Sequence, residues 1–163
     1  MYPWIRFVHI LAAFLFVLTH GASTKVIMKL SKEKSPEKLA ALLELSSDNL
    51  MGMYLVLLVM MMAGVANGLI GHYWSKGWIW VGLGLLLLVS FSMFGMATRP
   101  LSSIRKALGL PYFEGNKGHP ADPASANPEE AIRLIARLKP GVIAGIGYGG
   151  LVLILYFMAF KPF

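Results

Sequence analysis

The sequence predicts an all-α membrane protein, an antiparallel bundle of four transmembrane helices with short interfacial helices in its two long loops. Four mostly apolar stretches contain no Asp, Glu, Lys or Arg: residues 7–24, 49–75, 77–98 and 140–160. A helix of about 20 apolar residues crosses a hydrocarbon core about 30 Å thick, and helices satisfy their own backbone hydrogen bonds in lipid. We expect a single membrane domain over residues 1–163. Its spans are expected at about residues 4–23, 50–72, 77–98 and 140–160.

Composition supports a membrane protein and narrows its chemistry. The 163 residues are 56% hydrophobic and 14% charged, with a net charge of +7. The positive charge lies in segments beside the spans, where anionic lipid and membrane topology account for it. No basic segment carries a nucleic-acid recognition motif, so nucleic acid is not an expected partner. Cysteine is absent, which excludes disulfides, thiolate metal sites and cysteine nucleophiles.

The first span ends with a sequence that resembles a cleavage site, and the loop after it contains a helix-capping signal. The span ends near small residues at 21–23 that resemble a signal-peptide cleavage site, and we expect it to be a retained helix. In the loop, Ser35 is a typical N-cap, Pro36 suits the first helical turn and Glu37 complements the helix dipole. Leucines follow at 39, 42 and 43. This pattern predicts a short helix on the membrane surface.

The loop between the third and fourth spans repeats this pattern. Asn127 and Pro128 precede two glutamates, and an apolar stripe follows over residues 132–138. We expect a second interfacial helix here. Residues 115–127 are rich in Gly, Pro and Ala, which predicts an irregular loop before that helix.

Basic residues are distributed unevenly between the two sides of the predicted bundle. The long loops carry twelve of the 15: Lys25, Lys29, Lys32, Lys34, Lys38, Arg99, Arg105, Lys106, Lys117, Arg133, Arg137 and Lys139. The other side carries Arg6, Lys76 and Lys161. The positive-inside rule places both loops in the cytoplasm and both termini outside, in a bacterial inner membrane. An outer aromatic belt is predicted from Tyr2, Trp4, Tyr73, Trp74, Trp78 and Trp80.

Glycines recur four residues apart in two spans. Gly141, Gly145 and Gly149 follow this spacing in the fourth span, and Gly64 and Gly68 follow it in the second. Small residues at this spacing let another backbone approach closely. They indicate either packing within the bundle or a face for another subunit or a flat cofactor.

Histidines in the spans are the first candidates for a cofactor site. Polar residues at membrane depth are functional candidates, and imidazole binds haem iron, copper and zinc. His9 and His20 are eleven residues apart, so both leave one face of the first span, about 16 Å apart. His72 ends the second span on the side of His9. We predict His9 and His72 as axial ligands of haem b. The alternative is one buried imidazole bonded to a carbonyl and one in the headgroup region.

A second candidate site lies toward the cytoplasmic side. His20 has a depth similar to that of Met93 and Met96, which close the third span. Thioethers with an imidazole suit Cu(I), and a His/Met pair also holds haem, although methionine serves equally as apolar filling. Asn67 is predicted to form a hydrogen bond between helices. The absence of acidic residues within the apolar spans argues against an ion-driven transporter.

Several short motifs resemble a known family. They are the early histidine in residues 7–11, the pair His20-Gly21, residues 55–64 of the second span and the ending at residues 154–162. The chain resembles bacterial four-helix integral membrane proteins of unknown function, which are distantly similar to copper-resistance D membrane proteins. His20 stands where a second glycine is expected. The resemblance implies the four-helix architecture and a redox or copper connection.

These features predict a small membrane subunit or anchor of a larger complex that transfers electrons with bound haem b. A copper-handling membrane protein and a purely structural accessory subunit are the alternatives. The expected partners are the lipid bilayer and other membrane subunits or further copies of the chain.

Overall fold

The computed structural model describes residues 2–163, apart from the side chain of Tyr2, so that member of the predicted aromatic belt lies outside the described residues. The α-helices are α1 (Tyr2–Leu30), α2 (Pro36–Ile70), α3 (Gly77–Met93), α4 (Arg99–Ala107), α5 (Pro128–Ala136) and α6 (Pro140–Phe160). Strands β1 (Tyr112–Glu114) and β2 (Lys117–His119) form an antiparallel hairpin. Single 3₁₀ turns lie at Tyr73–Ser75 and Pro123–Ser125.

Four helical stretches are long and apolar enough to cross a membrane. They are α1, α2, the continuous stretch Gly77–Ala107 and α6. The prediction of an all-α membrane protein with four spans is therefore confirmed at this level. The helices also extend well beyond the charge-free stretches, since α1 reaches Leu30 and α2 begins at Pro36.

The turn between α1 and α2 is capped as the sequence predicts, but the helix after it differs. The Ser35 hydroxyl accepts a hydrogen bond from the Lys38 N–H at 3.5 Å. The Glu33 carboxylate accepts hydrogen bonds from the N–H groups of Ser35 and Lys34, which hold its pKa below the usual value. The expected short helix is the start of α2, because no Gly or further Pro interrupts the helical pattern before residue 50.

The loop before α5 contains regular structure that the composition did not predict. Strand β2 lies within residues 115–127, where we expected an irregular loop. Gly115 supports the hairpin because it adopts a positive φ of 61° at the turn. The rings of Tyr112 and His119 stack across the strands with centroids 4.7 Å apart. The Asn127 side chain then caps α5 by accepting from the Glu130 N–H at 3.1 Å, as its position predicts.

The apolar helices pack as two pairs, α1 with α2 and α3 with α6. In the first pair, hydrogen bonds join Asn49 to Thr19 and Asn67 to Ile5, so the two helices run in opposite directions. In the second pair, Gly150 of α6 lies against Val89 of α3. Contacts between α1 and α6 join the two pairs.

The two ends of the bundle differ in how they are built. At the terminal end, which contains residues 2–6, 71–76 and 161–163, the Lys161 ammonium lies 5.1 and 5.2 Å from the Tyr73 and Trp78 ring centroids. At the loop end, which contains residues 25–48 and 99–139, the most deeply buried side chains form one cluster. Leu30, Leu39, Leu43 and Ile104 are at most 1% exposed. The compact core thus lies outside the charge-free stretches.

Candidate functional site

The His9 imidazole is held against α2. Its Nδ1 lies 2.9 Å from the carbonyl oxygen of Met60. Gly64 leaves room for the ring, because a Cβ there would lie 3.0 Å from His9 Cε1. A hydrogen bond at one ring nitrogen fixes the ring orientation and leaves the other nitrogen for a ligand or a proton. Gly64, one of the two glycines spaced four residues apart in the second span, therefore accommodates the His9 ring.

His72 lies on a different level from His9. It is exposed and adopts a left-handed conformation with φ of 52°, after α2 has ended at Ile70. The stretch from Gly64 to Ile70 alone rises about 9 Å along the helix axis. His9 therefore contacts α2 near Gly64, whereas His72 lies beyond the C-terminal end of that helix, and their pairing as axial ligands of one iron stays a prediction.

His20 is enclosed between α1 and α6. Its ring makes an edge contact with Tyr148 at 5.4 Å and stacks on Phe16 at 6.2 Å, measured between centroids. Gly147 is buried directly against the ring, and a Cβ at that position would collide with Nε2. Among the described residues, Nε2 is a buried nitrogen without a hydrogen-bond partner. An unpaired buried donor or acceptor is costly, and this nitrogen lies at the contact between α1 and α6.

The methionines predicted to join His20 lie at the end of α3 and in the turn after it. Met93 is half-buried in the last turn of α3, and Met96 lines a cavity at the loop end with Arg99 and Ile143. Within residues 2–163, no three His, Asp or Glu side chains lie close enough to hold a metal ion together.

Two half-buried amides link α1 to α2. The Asn67 side chain donates to the Ile5 carbonyl oxygen at 3.4 Å, which confirms the predicted interhelical hydrogen bond. Asn49 donates to the Thr19 carbonyl oxygen at 2.9 Å and to the Ser23 hydroxyl. Asn49 was not predicted from the sequence, although an amide at the first residue of a charge-free stretch is the signal that points to it.

The glycines of α6 divide into two groups. Gly147 and Gly150 are buried, the first against His20 and the second against Val89 of α3. Around Gly141, Gly145 and Gly149, an added Cβ would meet nothing within 4 Å. The glycine stripe formed by these three residues is therefore not used for packing within the chain. Of its two predicted uses, only the outward face for a partner or cofactor agrees with this placement.

A cavity of about 430 Å³ opens at the loop end. Its walls come from the end of the third apolar stretch, from α4 and α5, and from the start of α6. Three of its lining residues are basic: Arg99, Arg137 and Lys139. From the sequence these residues predicted only the topology, because no local pattern shows that Arg99 and Arg137, 38 residues apart, share a cavity.

Comparison of the chain with models of known protein families, with curated proteins and with solved structures finds no match.

Proposed function

We propose that the protein is a small membrane subunit or anchor that works within a larger assembly. The observation that carries this proposal is how little the spans cover one another. In the most apolar part of each span, between 6% and 22% of the residues are buried inside the chain. The loop end, in contrast, is closely packed around Ile104 and Leu43. The apolar surface is thus left for lipid and for other membrane helices.

The open glycine stripe on α6 supports a protein partner beside the lipid. Lipid tails are as apolar as leucine, so helices associate in membranes through close backbone approach rather than through hydrophobicity. Gly141, Gly145 and Gly149 offer such an approach on the outside of the bundle. Either another subunit or a second copy of the chain is the expected occupant.

Two outward glycines provide a matched test of this assembly. Gly145→Leu places a bulky side chain on the stripe, and Gly84→Leu places the same side chain on an isolated open glycine of α3. Chemical crosslinking in native membranes should show fewer higher-mass species for Gly145→Leu than for Gly84→Leu. Identical crosslinking of both variants and the native protein would show that the glycine stripe is not an assembly surface.

The proposed location is a bacterial inner membrane, with both termini outside and the loop end in the cytoplasm. The excess of basic residues at the loop end supports this orientation. Because the chain has no cysteine, single cysteines at Lys32 and Ser75 report on the two ends without further changes. An impermeant maleimide added to intact cells should label Ser75→Cys only. Labelling of Lys32→Cys alone would reverse the orientation.

Electron transfer with haem b remains part of the proposal, as does the resemblance to the four-helix family. The Met60 carbonyl oxygen orients the His9 imidazole, whereas the exposed position of His72 gives the pairing of these two histidines little support. The visible spectrum of the purified protein tests the role directly. A Soret band that disappears in His9→Ala but persists in His119→Ala would support it. A protein without such a band would leave a structural accessory subunit.

A metal-handling role at His20 is the second candidate. Its support is the buried Nε2 without a hydrogen-bond partner. Copper added to the purified protein should bind in one equivalent and be lost in His20→Ala if this role is correct. Retention of copper by His20→Ala would exclude His20 as the ligand.

A further inference from the structure

The cavity at the loop end is built around an irregular turn. Residues 94–98 form a π-helical turn between α3 and α4, in which the Arg99 N–H donates to the Phe94 carbonyl oxygen. Pro100 follows and has no N–H with which to continue the regular ladder. π-Helical turns occur frequently at functional sites. Here the turn brings Arg99 to the edge of the cavity.

The positive charge of the cavity is not neutralised by the protein. Arg99, Arg137 and Lys139 line it, and no lining residue is acidic. Over residues 2–163, none of these three forms an ion pair, and the Arg99 guanidinium instead lies 4.9 Å from the Phe94 ring centroid. Nearby Arg105 is different, because it is paired with Glu44 at 2.8 Å. The cavity therefore offers three cations to an external anion.

The remaining wall is apolar and continues into the spans. Met96, Leu134, Leu138 and Ile143 line the cavity beside the basic residues. The first residues of α6 also lie here, so the positive end of its dipole adds to the local field. A ligand of this cavity thus has an anionic head and an apolar body.

We propose that this cavity binds the phosphate headgroup of an anionic phospholipid. Arg99, Arg137 and Lys139 hold the phosphate, and the acyl chains pass along Met96 and Ile143 toward the bilayer. Basic pockets between helix ends are recognised by anionic lipid headgroups, and arginine forms paired hydrogen bonds with phosphate oxygens. This site does not depend on the proposed assembly, because it is formed by one chain.

The test uses the full chain, delipidated in mild detergent and titrated with phosphatidylglycerol or phosphatidylcholine under native mass spectrometry. The native protein should retain phosphatidylglycerol in preference to phosphatidylcholine. Arg137→Gln should weaken phosphatidylglycerol binding about fivefold, which corresponds to about 1 kcal/mol for one basic residue near an anionic lipid. Arg133→Gln is the matched control. It removes the same charge four residues earlier, inside α5, and lies outside the cavity, where it pairs with Glu130.

Three results would overturn the proposal. They are equal retention of the two lipids, equal weakening by Arg137→Gln and Arg133→Gln, and binding of inorganic phosphate without a preference for phosphatidylglycerol. The last result would assign the cavity to free phosphate. If Arg137→Gln does not fold, Lys139→Gln provides the same comparison from the segment before α6.

Discussion

Ile104→Ala tests whether the stability of the protein depends on the loop end rather than on the apolar spans. Ile104 is 0% exposed and packs in the cluster with Leu30, Leu39 and Leu43. The substitution removes three carbon atoms, which contribute about 0.8 kcal/mol each when buried, or about 2.4 kcal/mol together. The cavity that remains raises the expected loss to about 2–5 kcal/mol.

The matched control for this substitution is Leu88→Ala on α3. Leu88 is 63% exposed and faces lipid, which surrounds it equally well when the helices separate. We expect its substitution to change the free energy of unfolding by less than about 0.5 kcal/mol.

The assay for both variants is reversible unfolding in mixed micelles of mild detergent and SDS, followed by circular dichroism. Ile104→Val should give an intermediate loss of about 0.5–1.5 kcal/mol. Equal shifts of the unfolding midpoint by Ile104→Ala and Leu88→Ala would show that the loop-end cluster is not the stabilising core.

Three further predictions use the same unfolding assay. Gly147→Val, which would collide with the His20 ring, should lower the free energy of unfolding by about 1–3 kcal/mol through overpacking. Gly145→Val is the control and should change it little. Equal losses for the two variants would contradict the packing described for α6. The Arg105 side chain is 14% exposed and bonds to a carbonyl and a carboxylate of α2. Arg105→Gln should therefore lose about 1.5–3 kcal/mol, with Arg105→Lys between it and the native protein, and no loss would show that this contact is dispensable. The backbone N–H of Ser35 holds the pKa of Glu33 below its usual value in the folded protein. The Glu33 carboxylate therefore stabilises the folded state at pH values above that usual pKa, and this contribution is lost as the pH falls through the lower pKa of the folded state. Glu33→Gln should flatten this acid dependence, and an unchanged acid profile would assign it to other groups.

The amino-acid sequence determined the class of the protein through patterns that are local in the chain. Charge-free apolar stretches specify spans because every charge inside the bilayer is costly. Capping by Ser35 and Asn127 was also predictable, since the side chain and the N–H groups that it accepts from lie within one helical turn. Asn67 was recognisable for a similar reason, because an amide in an apolar span is costly without a hydrogen bond, and its side-chain N–H donates to the Ile5 carbonyl oxygen.

Only the tertiary structure decided which neighbour each helical face meets. Periodicity placed His9 and His20 on one face of α1, yet the first contacts α2 and the second contacts α6. Spacing identified the glycine stripe of α6, but the glycines of that helix that are buried within the chain are Gly147 and Gly150. Lipid solvates every apolar face equally, so hydrophobicity does not specify which face turns inward. The basic cavity depends on the same long-range packing, because it joins residues that are distant in the chain.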